Sequence, residues 1–292
     1  MLNALTRLPE VVARAALLYA WLATPAYCDP LHILLTNDDG IDSIGLTSLE
    51  TALRADGHRV TVIAPAEQQS GSGASISTHG PIVIDQRDAS HFAIGGEPAD
   101  AVLIGLRHVL RDDPPDLVVS GANFGQNLGL DTNISGTVGA VIMALRESVP
   151  GIAISVGLDL AERNAEPRFP STLATFPQAA AFTAALIKSL SSRSRSLLPR
   201  GTALNINVPA TPTPKGSRWA ALSNRAGWSS DYAADGEGSV DPRLMFSAQG
   251  AAPGSDLDLF TQGWITISPI DGLHTAEGAM MELSKLPLPE AH

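Results

Sequence analysis

The stretch His32-Ile33-Leu34-Leu35-Thr36-Asn37-Asp38-Asp39-Gly40 decides the fold of this chain, because an apolar run ends there on two adjacent carboxylates and a glycine. A helical pattern follows from Ile44 to Ala55, and Arg59 to Pro65 then has the composition of a second strand. This β-α-β order predicts a parallel sheet. We expect ligands to bind outside the carboxyl ends of its strands, where the acidic pair lies.

Asp38 and Asp39 are candidate ligands of a hard divalent cation. Two neighbouring like charges are unfavourable unless something positive lies between them, and Mg²⁺, Mn²⁺ and Ca²⁺ prefer oxygen ligands. An Asx-turn with a helix N-cap explains Asp-Asp-Gly equally well when that sequence is taken alone. The choice depends on what else the fold brings to this strand end.

A second dense polar stretch, Ser120 to Val138, follows the strand predicted at Asp116 to Ser120. Its glycines and asparagines can bring backbone N–H groups and side-chain amides close to a ligand. Ser135-Gly136-Thr137 then opens a helix, and a helix N-terminus beside hydroxyl groups suits a phosphate. N-capping by Ser135 or Thr137 explains the same residues without excluding a phosphate.

The remaining pattern completes an α/β chain. A hairpin or sheet edge is predicted at 81–85 and 92–94, helices at 98–110 and 178–190, and core strands at 151–156, 204–209 and 263–269. Gly71 and Gly73 form a Gly-x-Gly, but no third glycine follows at dinucleotide-binding spacing. From about residue 211 to 258 the chain is rich in Gly, Ser, Pro and Asp, which indicates β-hairpins or a disordered insertion.

Composition excludes some classes of function. The chain has 292 residues, is 44% hydrophobic and 17% charged, and carries a formal net charge of −11. Nucleic-acid binding needs clustered Lys and Arg, and the sequence has no such cluster. Cys28 is the single cysteine, so an intrachain disulfide is impossible.

The first residues resemble a secretory signal peptide. Arg7 and Arg14 precede the apolar run Ala15–Ala23, and the small residues of 24–26 offer a cleavage site. The run is too short to span a bilayer, so we expect no membrane anchor in the mature protein. The alternative is an amphipathic N-terminal helix or a start codon placed too far upstream.

Several stretches, in this order and at compatible distances, resemble the SurE nucleotidases, which are metal-dependent phosphatases that act on nucleoside monophosphates. The resemblance runs from about residue 31 to 273. It rests on Thr36–Gly40, Ala64-Pro65, Ser70-Gly71, Gly96–Asp100, Ser120–Gly129, Ser135–Val138, Leu204–Pro209 and Gly263–Pro269.

The resemblance implies a Rossmann-like, mostly parallel sheet flanked by helices, with a β-rich C-terminal subdomain. The domains would be a signal peptide at 1–28, the core with its metal site at 29–210, a hairpin and oligomerisation subdomain at 211–273 that returns to the core, and a tail at 274–292. One Mg²⁺ or Mn²⁺ per subunit and a homodimer or homotetramer are implied. The implied metal ligands are Asp38, Asp39, Ser70 and Asn123.

The implied activity is hydrolysis of nucleoside 5′-monophosphates, and also 3′-monophosphates, with Asp38 and Asp39 as catalytic residues. The implied phosphate-binding residues are Asn127, Ser135, Gly136 and Thr137. A broad-specificity acid phosphatase, an exopolyphosphatase and a nucleotide-binding module without activity are the alternatives. The leader predicts a periplasmic or secreted protein, whereas members of the family are often cytoplasmic.

The sequence departs from the family pattern at three positions. Gln69 stands where an arginine is common before the serine, which predicts weaker affinity for an anion. Glu97 replaces a usual threonine and Ala101 a usual cysteine, and we expect both replacements to concern packing.

Overall fold

The computed structural model describes residues 30–192, 196–234, 236 and 238–272. The predicted leader at 1–28 and tail at 274–292 therefore lie outside the described residues. Within those ranges, no helix combines the length and the apolar character needed to cross a bilayer.

A nine-stranded sheet forms the centre of the molecule. The described residues form eleven strands, and all except β9 and β10 belong to this sheet: β1 (His32–Thr36), β2 (Arg59–Pro65), β3 (Ile84–Gln86), β4 (His91–Ile94), β5 (Leu117–Phe124), β6 (Gly151–Val156), β7 (Ala203–Val208), β8 (Ser217–Trp219), β9 (Trp228–Ala234), β10 (Val240–Phe246) and β11 (Ile265–Ile270). The order in the sheet is β3-β4-β2-β1-β5-β6-β7-β11-β8, and the six strands from β4 to β7 run parallel. The predicted mostly parallel α/β fold is confirmed.

Helices cover both faces of the sheet. They are α1 (Ile44–Ala55), α2 (Pro98–Ile104, continued by a π-helical turn at Gly105–Val109), α3 (Gly136–Arg146), α4 (Pro170–Ser191) and α5 (Asp256–Thr261). Side chains alternate along β1, as they must in a strand. Ile33 packs with Leu49 of α1 and Phe176 of α4, whereas Leu34 packs with Val102 of α2 on the opposite face.

Two elements extend further than the sequence predicts. Strand β5 continues past Ser120 to Phe124, with a bulge against β6. Gly121 makes this path possible, since its φ is +132° and a Cβ there would lie 2.2 Å from the Ile154 carbonyl oxygen. Helix α4 begins at Pro170 rather than near 178, because a proline at the first helical position is preorganised for a helix.

The C-terminal region divides between two sheets. Strands β9 and β10 form a separate antiparallel hairpin, so the hairpin interpretation of residues 211–258 is confirmed over the disordered one. Strand β8 joins the central sheet beside β11, and β11 pairs antiparallel with β7. The short helix α5 between them was not predicted.

Candidate active site

The order of the strands places a crevice between β1 and β5. The chain passes from β1 to β2 on one side, whereas β5 pairs with β1 on the other side. Parallel α/β sheets bind ligands at such a switch point, outside the carboxyl ends of the strands. Asp38 and Asp39 follow β1 directly, and Asn123 lies near the end of β5. The crevice therefore collects the polar residues of both dense stretches.

Asp38 is buried, with 3% of its surface exposed, and lies against the first turn of α3. Its Oδ1 accepts a hydrogen bond from Thr137 Oγ1 at 2.6 Å. Burial raises the pKa of the Asp38 carboxyl, while the Thr137 hydroxyl and the N–H groups of Thr137 and Gly136 act in the opposite direction. The positive end of this helix is thus directed at a carboxylate of the chain itself.

Asp39 has fewer partners than Asp38. Its Oδ2 accepts a hydrogen bond from the Phe124 N–H at 2.8 Å, which joins the end of β1 to the end of β5. Burial, and then the charge of Asp38, raise the pKa of Asp39 to about 7, against the effect of the Phe124 N–H. Within the described ranges, no Lys, Arg or His is among the groups that shift the pKa of either carboxyl.

Gly136 allows α3 to approach the acidic pair. A Cβ on Gly136 would lie 2.8 Å from Asp38 Cβ, 2.9 Å from Asp38 Oδ2 and 2.6 Å from Ser72 Oγ, closer than real Cβ contacts. Ser72 Oγ is itself buried and has no hydrogen-bond partner in the part of the chain that the structure describes. This hydroxyl adjoins the acidic pair and was not singled out from the sequence, since Ser72 is one of several serines in a Ser- and Gly-rich loop.

Asn123 and Ser70 are the two neutral residues of the predicted ligand set. Asn123 is buried and its Nδ2 donates to the Gly125 carbonyl oxygen at 2.6 Å. That bond fixes the amide plane and directs Oδ1, the atom able to bind a cation, away from the Gly125 carbonyl oxygen. Ser70 is exposed, and its Oγ accepts from Gln68 Nε2 at 2.9 Å. The Gln69 N–H donates to the Asp38 carbonyl oxygen, which ties this loop to the end of β1.

The four residues that the resemblance predicts to bind phosphate have different surroundings. Gly136 and Thr137 adjoin Asp38, whereas Ser135 caps α3 by accepting a hydrogen bond from the Val138 N–H at 3.1 Å. The buried side chain of Asn127 donates to Ser155 Oγ at 3.0 Å. Of the four, Gly136 and Thr137 therefore lie nearest the acidic pair.

A cavity of about 240 Å³ opens beside Asp39. Part of its lining is apolar and includes Phe124 and Phe176, whose ring centroids are 5.8 Å apart. The sequence analysis missed this aromatic wall, because Phe124 was read as part of a loop rather than the end of β5. Helical spacing on α4 would have placed Phe176 on the buried face had that helix been predicted to begin earlier.

The donor set fits a hard cation. Two carboxylates, an amide oxygen and a hydroxyl are all oxygen ligands. The adjacent carboxylates need positive charge, and no side chain among the described residues supplies it. Among the described residues, no three His, Cys, Asp or Glu side chains are grouped to hold a metal. A cation here would therefore depend on the neutral ligands Asn123 and Ser70 as well as on the acidic pair.

Comparison with known proteins assigns the chain to a family. The family model of the survival protein SurE matches residues 33–228. The chain belongs to the SurE family. It is 35% identical to a 5′-nucleotidase SurE of Geobacter sulfurreducens over 82% of this chain and 87% of that relative. It is 36% identical to a 5′-nucleotidase SurE of Desulforudis audaxviator over 88% of this chain and 98% of that relative.

A solved structure of the SurE family shares the fold. The crystal structure of the SurE protein from Aquifex aeolicus superposes with a TM-score of 0.72 at 27% sequence identity, covering 87% of this chain and 98% of that chain. The resemblance inferred from the sequence motifs is thereby confirmed. The family match begins at residue 33, the second residue of β1, so the stretch that decides the fold also opens the region shared with SurE.

Proposed function

We propose that this protein is a divalent-metal-dependent phosphomonoesterase that hydrolyses nucleoside 5′-monophosphates to nucleoside and phosphate, and also accepts 3′-monophosphates. The observation that carries the proposal is the acidic pair Asp38–Asp39 at the crevice, which has no cationic side chain beside it among the described residues. The names of the relatives from Geobacter sulfurreducens and Desulforudis audaxviator support the same activity.

In this proposal Asp38, Asp39, Asn123 and Ser70 hold one Mg²⁺ or Mn²⁺. When bound, such a cation supplies charge stabilisation to a phosphoryl oxygen and lowers the pKa of nearby water. The chain positions its own ligands: Thr137 Oγ1 holds Asp38, and the Phe124 N–H holds Asp39. Phosphoryl transfer depends mainly on such positioning and on electrostatic stabilisation.

The start of α3 also belongs to this proposed site. The N–H groups of Gly136 and Thr137 point toward Asp38, so a phosphate bound beside that carboxylate would lie near the positive end of the helix. Ser135 supports this role indirectly, because it caps the helix. Asn127 supports it through the backbone, since its N–H donates to Asn207 Oδ1 and fixes the path of the loop.

The test is hydrolysis of AMP and 3′-AMP by purified protein, with phosphate release measured before and after chelation and after Mg²⁺ or Mn²⁺ is restored. We expect activity to vanish with chelator and return with metal. ATP and polyphosphate serve as comparison substrates, because equal or faster release from them favours the exopolyphosphatase alternative. Nucleotide binding without turnover would favour the nucleotide-binding module.

Two further proposals concern assembly and location. The hairpin β9–β10 exposes Tyr232, Val240, Leu244 and Met245, which supports a homodimer or homotetramer built through this hairpin. Sedimentation analysis tests the oligomeric state. The residues proposed as a cleaved leader lie outside those described, and intact-mass measurement of native protein tests for a mature chain that begins near residues 27–29. A full-length chain confined to the cytoplasm would contradict export.

A further inference from the structure

The cavity beside Asp39 has an apolar side that phosphate hydrolysis does not require. Ile44, at the first position of α1, and Phe124, at the end of β5, both line this cavity. Ile44 is 52% exposed although it is a large aliphatic residue. Charges and hydrogen bonds hold a phosphoryl group and a cation, so an apolar wall is suited to a different part of the ligand.

Aromatic neighbours hold the ring of Phe124 in place. Its centroid lies 5.7 Å from that of Phe169 at an interplanar angle of 72°, and 5.8 Å from that of Phe176 at 43°. Edge-on and tilted contacts of this kind are favourable and restrict the plane of the ring. Phe169 and Phe176 are buried, whereas Phe124 is only partly buried. Phe176 also lines the cavity, but Phe124 is the more accessible of the two rings to a ligand there.

The backbone fixes the separation between this ring and the acidic pair. The Phe124 N–H donates to Asp39 Oδ2 at 2.8 Å, so the ring belongs to a residue bonded directly to the carboxylate. In a nucleoside 5′-monophosphate only the ribose separates the phosphate from the base. A substrate whose phosphate lies at Asp39 would thus carry its base to side chains in the immediate surroundings, which include Ile44 and Phe124.

We propose that Phe124 and Ile44 form a subsite for the base of the nucleotide, with the flat ring of the base against Phe124. This inference rests on the proposed phosphomonoesterase function and assigns the side chains that make the enzyme prefer nucleotides to phosphorylated sugars. Stacking on an aromatic side chain tolerates any base, because every base has a π-face. The subsite therefore favours nucleotides as a class rather than one base.

The experiment compares AMP with ribose 5-phosphate, which is the same phosphate ester without the base. Phe124→Leu removes the aromatic face, and Ile44→Ser removes the apolar wall at an exposed position. Phe182→Leu is the matched control, because Phe182 is also a partly buried phenylalanine of the same core and is not among the residues that line the cavity. The measured quantity is the ratio of kcat/KM for AMP to kcat/KM for ribose 5-phosphate.

We expect Phe124→Leu to lower this ratio about tenfold, equivalent to about 1.4 kcal/mol, mainly through the KM for AMP. A loss of this size is expected when one base no longer stacks on an aromatic side chain. Ile44→Ser should lower the ratio in the same direction by a smaller factor. Phe182→Leu should leave the ratio within about twofold of wild type, because it affects both substrates alike.

A second measurement needs no variant. Adenosine should compete with ribose 5-phosphate for the wild-type enzyme at concentrations at which ribose has no effect. A ratio unchanged in both Phe124→Leu and Ile44→Ser, or an absence of competition by adenosine, would overturn the base subsite even when both esters are hydrolysed. If wild-type protein with Mg²⁺ or Mn²⁺ hydrolyses neither ester, the proposed function itself fails.

Discussion

The structure describes two buried acidic pairs, Asp38 with Asp39 at the crevice and Asp131 with Asp256 at the hairpin. Burial raises the pKa of all four carboxyls, yet the surroundings of the two pairs differ. Asp131 and Asp256 lie where the loop after β5 meets the base of the hairpin β9–β10 and α5. Backbone N–H groups of five residues donate to this second pair: Gly227 and Trp228 to Asp131, and Gly129, Ser223 and Leu257 to Asp256.

This difference distinguishes buried carboxylates that stabilise the fold from buried carboxylates that can bind a ligand. Backbone N–H groups bond to both carboxyl oxygens of Asp256 and to one of Asp131, so these two side chains hold loops of the chain together. Asp39 receives one backbone N–H, from Phe124, and lines an open cavity. Its remaining acceptor capacity is available to a ligand. A carboxylate pair is therefore better judged by its donors and its access to a cavity than by its burial.

The largest effect should be a loss of activity when Asp38 or Asp39, the crevice pair, or the neighbouring Asn123 is substituted. Asp38→Asn, Asp39→Asn and Asn123→Ala should each lower kcat/KM for AMP by more than about a hundredfold, because even indirect partners of a metal site contribute about 10–100-fold. In chelator, the melting temperatures of the two Asp→Asn variants should match or exceed that of wild type, since one of two repelling charges is removed. Turnover and melting temperature, each measured with and without metal, check the prediction.

A loss of stability with activity retained would instead identify a capping role for the two carboxylates. If Asp38 and Asp39 only stabilised the turn before α1, truncating either one to Ala would cost about 0.5–2 kcal/mol of stability, while the folded fraction kept its activity. Full activity of Asp38→Asn in chelator would contradict the metal site.

The next largest effect should be the loss of stability when Asp256 of the hairpin pair, Asp131 and Asp256, is replaced by Asn. Asp256 uses both carboxyl oxygens, Oδ1 for Ser223 and Leu257 and Oδ2 for Gly129. Asp256→Asn replaces one acceptor by a donor, so we expect the free energy of unfolding to fall by about 1–3 kcal/mol for the buried N–H left without a partner. Urea denaturation monitored by circular dichroism measures this loss.

Asp131→Asn is the matched control for that experiment. Both of the hydrogen bonds to Asp131, from Gly227 and Trp228, end on Oδ2 alone, and an amide oxygen can accept the same two bonds. We expect a loss smaller than that of Asp256→Asn. Equal losses would show that the charge, rather than the number of acceptors, holds the hairpin to the loop.

A smaller effect should come from Thr137, which connects α3 to Asp38. Thr137→Val removes the hydrogen bond from the Thr137 hydroxyl to Asp38 Oδ1, and should raise the pKa of Asp38 further and weaken metal binding. Titration of Mg²⁺ against activity measures the apparent metal affinity. Thr137→Ser should restore it, because serine keeps the hydroxyl. Failure of the serine variant to restore affinity would assign the effect to packing instead.

The smallest effect should be the dependence on pH of the stability that Asp131 and Asp256 contribute. Burial raises the pKa of Asp131 and of Asp256, so the folded state holds their protons more tightly than the unfolded state. Their contribution to stability is complete below the ordinary carboxyl range and is lost as pH rises through the raised pKa. The free energy of unfolding of Asp131→Asn should therefore decrease less steeply with rising pH than that of wild type. Parallel curves would contradict the raised pKa.

The sequence predicted the crevice from local patterns. Apolar periodicity placed β1, α1 and β2, and the SurE motifs selected Asp38, Asp39 and Asn123. The three elements are confirmed, because strand and helix periods are properties of a short window. Ser135 as the N-cap of α3 followed in the same way, since a cap and its helix are neighbours in the chain. The assignment of Asp38, Asp39 and Asn123 to a metal site stays a prediction.

The remaining features depend on contacts between distant segments. The bond from the Phe124 N–H to Asp39 joins residues 85 positions apart, and the hydrogen bond from Gly129 to Asp256 joins residues 127 apart. No local pattern carries such a pairing. Pro177, inside α4, concealed the first turns of that helix, because an internal proline usually ends a helical pattern.

The ties between the hairpin and the loop after β5 limit where this chain can be shortened. Trp228 Nε1 donates to the Gln126 carbonyl oxygen, and the Leu130 N–H donates to the Arg225 carbonyl oxygen. A chain that ended at residue 210 would lose these bonds together with Asp256, which holds Gly129. The loop between Asn123 and Ser135 would then be released from one side. The crevice thus belongs to the whole length from β1 to β11, and a shortened Rossmann-like core would keep its carboxylates but lose part of the frame that orients their neighbours.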